Sequence, residues 1–270
     1  MKCRLANVDL AYDVSGASQN PTLLLVHGFP HDRTLWAPQM RALSAAYQCV
    51  AADLRGFGES SSAPPYSMDQ YADDLAALLD AIGVRRAVIA GISMGGYVAF
   101  AMWRRHADRV NGFVFVDTRA GPDSEAARAR RREWIARVEA EGVSAVSDTL
   151  VGDQLGATTR TRHPELESTV LAMARRMSEE GVIGALTAAM LRSDSSDTLA
   201  TITAPTLFVV GDEDTIAPRG ESEQMRTLVP GSRLEVIRGA GHLSNLERPA
   251  AFNALVSQWA ATACDTAHAP

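Results

Sequence analysis

Gly91–Ile92–Ser93–Met94–Gly95–Gly96 directly follows the apolar run Ala87–Ala90 and directly precedes a helical pattern from Tyr97 to His106. A strand, a serine between glycines and then a helix is what a nucleophile elbow requires. The turn must be sharp enough to strain the serine and project its hydroxyl above the sheet. Gly91 and Gly95 suit the flanking places, because a side chain at either would collide with the neighbouring strand or helix. The bland alternative, a glycine-rich turn with an incidental serine, leaves those flanking elements as coincidence.

A serine hydroxyl is a poor nucleophile without a base in hydrogen-bond reach. Of six histidines, His268 is near the end of the chain, His106 belongs to the helix after the elbow, and His163 precedes Pro164 in a helical stretch. His27 and His31 share an early loop, where His27 reads as a bracing residue rather than a second base. His242, in Gly239–Ala240–Gly241–His242, follows the last strand pattern, where a parallel sheet presents its carboxyl-edge loops. It is the candidate base. The acid that should orient it is sought in Gly211–Asp212–Glu213–Asp214, after the run Thr206–Val210. Asp214 lies far enough past the strand to turn back over the sheet, Asp212 is placed to brace the turn, and Glu213 is expected to face solvent. Asp117, at the end of another strand pattern, is the reserve. The order Ser…Asp…His is one that such triads use. For an oxyanion, the candidate donors are the backbone N–H groups of Met94, after the serine, and Phe29, in His27–Gly28–Phe29–Pro30.

Outward from this centre, short apolar runs alternate with helical patterns. Strands are expected at Arg4–Ala6, Leu10–Val14, Leu23–Val26, Cys49–Ala52, Ala87–Ala90, Gly112–Val116, Thr206–Val210 and Arg233–Ile237. The later runs are continuous, as in strands buried on both faces, whereas the first two alternate like an edge hairpin. Ser67–Met68–Asp69–Gln70 has capping-box form and opens a helix ending at Gly83; further helices are expected at Pro218–Leu228 and Pro249–Ala260. This alternation predicts an α/β fold with an open, doubly wound sheet.

Between 119 and 199 no strand pattern occurs, only helical ones at Ser124–Glu141, Val143–Leu150, Glu165–Met177 and Val182–Leu191. The expected organisation is a core of 1–118 and 200–263, a helical cap over 119–199 and a flexible tail at 264–270. Arg128, Arg130, Arg131 and Arg132 crowd the first cap helix. They could bind an acidic substrate, but a solvated face paired with Glu125 and Glu133 is the better reading.

Net charge is −6, with 46% hydrophobic and 21% charged residues, which excludes an electrostatic footprint for nucleic acid or an anionic membrane. Lys2 is the only lysine. Cys3, Cys49 and Cys264 form neither a metal spacing nor a disulfide framework. With no apolar h-region near Met1 and no bilayer-length apolar run, a cytoplasmic setting is expected.

These motifs together resemble the α/β-hydrolase superfamily over essentially the whole chain. They are His27–Gly28–Phe29–Pro30, the stretch Asp53–Leu54–Arg55–Gly56–Phe57–Gly58–Glu59–Ser60, the Ser93 elbow, Gly211 to Asp214 with Pro218, and Gly241–His242 followed by Asn245, Glu247 and Pro249. Within it the layout is similar to the 3-oxoadipate enol-lactonase and small carboxylesterase group. The resemblance implies a mostly parallel eight-stranded sheet flanked by helices, with an all-helical cap. It also implies a serine hydrolase that cleaves a small-molecule ester or lactone through an acyl-enzyme, without metal or organic cofactor. Serine at position 93 separates the chain from relatives that carry aspartate there. C–C bond hydrolysis by the same triad and ligand reception on the same fold are the rival readings. Trp36 and Trp134, with Met94, are the pocket candidates.

Overall fold

The structure, a computed structural model, describes residues 1–266, with side chains described as far as residue 261. Eight strands form one sheet in the order β1-β2-β4-β3-β5-β6-β7-β8. They are β1 (Lys2–Arg4), β2 (Asp9–Ser15), β3 (Thr22–Val26), β4 (Gln48–Ala52), β5 (Ala87–Ile92), β6 (Val110–Val116), β7 (Thr206–Gly211) and β8 (Arg233–Ile237). The pairs β1–β2 and β2–β4 are antiparallel, and every other pair is parallel. The fold is the mostly parallel α/β sheet expected from the sequence. One strand is displaced. The first lies at Lys2–Arg4 and not at Arg4–Ala6, because the Leu5 amide donates to the Val8 carbonyl and 5–8 become the hairpin turn.

The helices, in chain order, begin with α1 (Ala37–Leu43), α2 (Met68–Ala81) and α3 (Met94–His106). Six follow between β6 and β7: α4 (Glu125–Glu141), α5 (Ser144–Val151), α6 (Ala157–Arg162), α7 (Glu165–Ala174), α8 (Glu179–Met190) and α9 (Ser196–Ala200). The last three are α10 (Arg219–Leu228), α11 (Ser244–Glu247) and α12 (Pro249–Thr266). The stretch expected to be a flexible tail, 264–270, overlaps the end of α12, and 267–270 lie outside the described residues. α2 begins as its cap motif predicts, with the Ser67 hydroxyl accepting from the Gln70 amide at 3.0 Å. Half of the capping box is missing, however, because the Gln70 side chain reaches forward to Asp74.

Alternate strand residues feed two cores, as the period of two requires. Leu24, Val26, Val50 and Ile89 pack with residues of α2 and α3 on one face, while Leu23, Leu25, Cys49 and Val88 pack with α1 and α12 on the other. A parallel sheet covered on both faces leaves its carboxyl edge as the place where loops can gather functional groups.

Candidate active site

β5 ends at Ile92, and Ser93 turns the chain into α3 with φ 53°, a left-handed conformation that is costly for a side-chain-bearing residue. The neighbours hold it there. The Ser93 amide donates to the Val116 carbonyl, and the Ser93 carbonyl accepts from the Gly96 amide at 2.9 Å and the Thr118 hydroxyl at 2.7 Å. The flanking glycines are steric necessities. A Cβ on Gly91 would lie 2.3 Å from the Gly95 carbonyl oxygen, and one on Gly95 would lie 2.3 Å from that of Val26.

Two loops bring the other candidates to this turn. His242, after β8, places Nε2 2.8 Å from Ser93 Oγ. Asp214, after β7, places Oδ2 2.9 Å from His242 Nδ1. Its other oxygen accepts from the Ile216 and Ala217 amides, which fixes the carboxylate from behind. In this arrangement His242 donates through Nδ1 to Asp214 and accepts the Ser93 hydroxyl hydrogen bond at Nε2. Burial alone would lower the pKa of His242, but the charge and hydrogen bond of Asp214 outweigh it and raise the value above that of an ordinary imidazole. For Asp214 burial pulls upward, yet His242 and the two amides hold the carboxyl below its usual range. The pair is built to keep Asp214 ionised beside an imidazole ready to take a proton.

The other acids go elsewhere. Asp117 is fully buried and accepts from the Gly211 amide and from the amide and hydroxyl of Ser244. It bonds neither nitrogen of His242. Asp212 does not brace its own turn but reaches across to the loop after β8, accepting from the Gly239 amide at 2.6 Å. Glu213 keeps part of its surface in solvent, as expected, but also finds a partner. Only partly covered, it accepts from the amide and hydroxyl of Thr158 at the start of α6, tying the six-helix stretch to the sheet. The other histidines are committed too. His27 Nε2 accepts from the Leu54 amide at 3.0 Å and its Nδ1 donates to the Gly28 carbonyl, so it braces its loop. His106 pairs with Asp73 and His163 with Glu165, while His268 lies outside the described residues.

The β3 loop passes close to the serine. A Cβ on Gly28 would sit 3.0 Å from both Ser93 Cβ and the Ile92 carbonyl oxygen, closer than ordinary contact, so a side chain there would crowd the serine. Among the described residues neither the Phe29 nor the Met94 amide has a hydrogen-bond acceptor. Both Phe29 and Met94 line the cavity above Ser93, which measures about 380 Å³ and also meets Tyr97, Trp134, Gln154 and His242. Trp134 is thus at the cavity. Trp36 is not: it is fully buried in the core beside Phe252, with ring centroids 6.0 Å apart. Of the arginine run, Arg132 pairs with Glu125 as expected, whereas Arg131 pairs with Asp123 and not with Glu133. The Arg130 guanidinium stands over the Trp134 ring, 5.5 Å from its centroid, at the cavity wall.

Two residues around the site have roles that no local sequence pattern signals. Glu247, within the quoted Gly241-to-Pro249 motif, is buried and accepts from the amides of Gly241 and Leu243, either side of His242, and from that of Gly156. Gln154 lies between α5 and α6, in a stretch without helical period, and only folding shows what it touches. Among the described residues, no group of three or more His, Cys, Asp or Glu is arranged to hold a metal ion, and no helix is long and apolar enough to cross a membrane.

Comparison with known proteins places this geometry in a family. A family model described as alpha/beta hydrolase fold matches residues 21–249. A putative carbamate hydrolase RutD from a Caulobacter species is 28% identical over 92% of this chain and 94% of its own. A 3-oxoadipate enol-lactonase from Acinetobacter baylyi is 27% identical over 90% of each chain. Among solved structures, a thermophilic esterase from Thermogutta terrifontis superposes with a TM-score of 0.93 at 36% identity, covering 97% of this chain and 99% of that one. With the sheet, the elbow and the loops in this order, the chain belongs to the alpha/beta hydrolase fold family and is a hydrolase.

Proposed function

We propose that the protein is a serine hydrolase that cleaves a carboxylic ester or lactone of a small molecule through an acyl-enzyme. The observation that carries this reading is the unbroken relay from Ser93 Oγ to His242 Nε2 at 2.8 Å and from His242 Nδ1 to Asp214 at 2.9 Å. Ser93 attacks the carbonyl carbon while His242 takes its proton. Asp214 holds the imidazole in one tautomer and stabilises the imidazolium. The free amides of Phe29 and Met94 are the donors for the oxyanion, each such donor being worth about 10²–10³ in rate. His242 then protonates the leaving alkoxide, and a water activated by the same histidine releases the acid. Helices α4 to α9 serve as the cap, with Trp134 on the cavity wall. The names of the esterase and enol-lactonase relatives support the substrate class.

Hydrolysis of p-nitrophenyl acetate, butyrate and octanoate by wild type and Ser93→Ala tests this. Release that disappears in the variant is expected, and the chain-length profile reports how deep an acyl group enters the cavity. Undiminished release by folded Ser93→Ala would falsify the assignment.

A further inference from the structure

Gln154 is 4% exposed and sits in a cap segment that makes no helix, yet it is bonded to three parts of the site. Its carbonyl accepts from the backbone amide of His242 at 2.9 Å. Its side-chain oxygen accepts from His31 Nε2 at 2.9 Å, and its side-chain NH₂ donates to the Phe29 carbonyl at 3.2 Å. The His31 bond has a definite polarity. An amide oxygen can only accept, so the proton is on Nε2. Burial pushes His31 down to about 3, so the ring is neutral at physiological pH. Gln154 therefore spans a fixed donor on one side and a fixed acceptor on the other, a fit that neither glutamate nor an apolar residue reproduces.

The Phe29 carbonyl is the significant partner. Phe29 carries a backbone N–H without an acceptor, and its direction depends on how the 28–30 backbone is held. Among the described residues this loop is tied by the His31 amide and His27 Nδ1, which both donate to the Gly28 carbonyl, and by the Gln154 side chain, which donates to the Phe29 carbonyl. Gln154 is the tie that comes from the cap. The same residue meets the backbone of His242, so the amide donor and the base are referenced to one point. Two further bonds lock that point down: the Gly156 amide donates to Glu247, and the Thr158 amide donates to Glu213.

We propose that Gln154 is a positioning residue through which the cap sets the direction of the Phe29 amide relative to His242 and Ser93. This rests on the serine-hydrolase reading above. In that reading both acylation and deacylation pass through an oxyanion, so a misdirected donor slows turnover without weakening the ground-state complex. A displacement of about 1 Å in such a site can cost about 10²-fold in rate.

The test uses Gln154→Met, which keeps the side-chain volume but removes both side-chain bonds, and Gln154→Asn, which keeps the amide but is one methylene short. Both are assayed with p-nitrophenyl butyrate beside wild type and Ser93→Ala, below each variant's melting temperature. The expected result is a fall in kcat of about 10–100-fold with KM changed less than about twofold. Affinity for phenylboronic acid, which forms a tetrahedral adduct on an active serine, should weaken in parallel with kcat. A residue that merely stabilises the cap would lower the melting temperature and leave kcat and boronate affinity in place, and that result overturns the inference. So does a rise in KM with kcat intact, which would make Gln154 a substrate contact. Ser93→Ala as active as wild type removes the serine-hydrolase reading and this inference together. An inactive Ser93→Ala beside fully active Gln154 variants removes this inference alone.

Discussion

Asp117 accepts both the amide of Ser244, at 3.0 Å, and its hydroxyl, at 2.6 Å. The end of β6 thereby holds the chain two residues beyond His242, and its second oxygen holds the Gly211 amide at the end of β7. Asp117, the alternative acid for the proposed triad, is instead a clamp for the two loops that carry Asp214 and His242.

That clamp has a pH signature. Burial, and then the charge of Asp214, push the Asp117 carboxyl from 3.8 up to about 7. A carboxyl with a raised native pKa favours the folded state fully below its unfolded value, and that contribution is lost as pH rises through the native value. The stability of wild type relative to Asp117→Asn should therefore decline between about pH 4 and pH 7, at up to about 1.4 kcal/mol per pH unit. Urea unfolding of both proteins across that range measures it; parallel profiles would contradict the clamp's titration.

The His242–Asp214 pair predicts a second pH effect. Only the neutral imidazole can take the serine proton, so kcat/KM should rise as pH passes through the His242 pKa, which lies above the ordinary 6.5. Asp214→Asn removes the charge that raises it. The acidic limb should then move to lower pH while the plateau falls by about 10⁴, since the tautomer is no longer held. A limb that stays in place would mean that another group sets it.

Arg55 and Asp74 form a buried ion pair joined by two hydrogen bonds of 2.6 and 2.7 Å, with Arg55 also donating to the Ala63 carbonyl and to Asn7. Asp74→Asn leaves the guanidinium without its counter-charge inside the protein. The expected loss is about 3–5 kcal/mol of unfolding free energy, whereas replacing both residues by apolar ones of similar volume should recover much of it. Denaturant unfolding of the single and double variants checks the contrast.

Glu247 offers two oxygens to three amide donors. A glutamine has only one oxygen, so Glu247→Gln turns an NH₂ towards a buried N–H whichever way it lies. At about 1–3 kcal/mol for each buried donor left without a partner, the variant should lose about 2 kcal/mol of stability. A denaturation curve that overlays wild type would show that Gly156 and Gly241 do not need this carboxylate.

The elbow, the histidine and the positions of most strands were legible because each is a local pattern. A run of β-branched and leucine residues has one period, a glycine flanks a turn where no Cβ fits, and a loop after a parallel strand arrives at the carboxyl edge whatever its partners are. Those regularities placed Ser93, Asp214 and His242 at one edge from the amino-acid order alone. They could not direct Glu213 to Thr158, Asp117 to Ser244 or Gln154 to Phe29, because these contacts join residues 55, 127 and 125 positions apart. Nor could they separate Trp36, sealed against Phe252, from Trp134 at the cavity wall. Which side of a tryptophan meets solvent, and which acid meets which amide, depends on how distant segments fill a common volume. No periodicity in the chain records that, so it was left to the tertiary structure to decide.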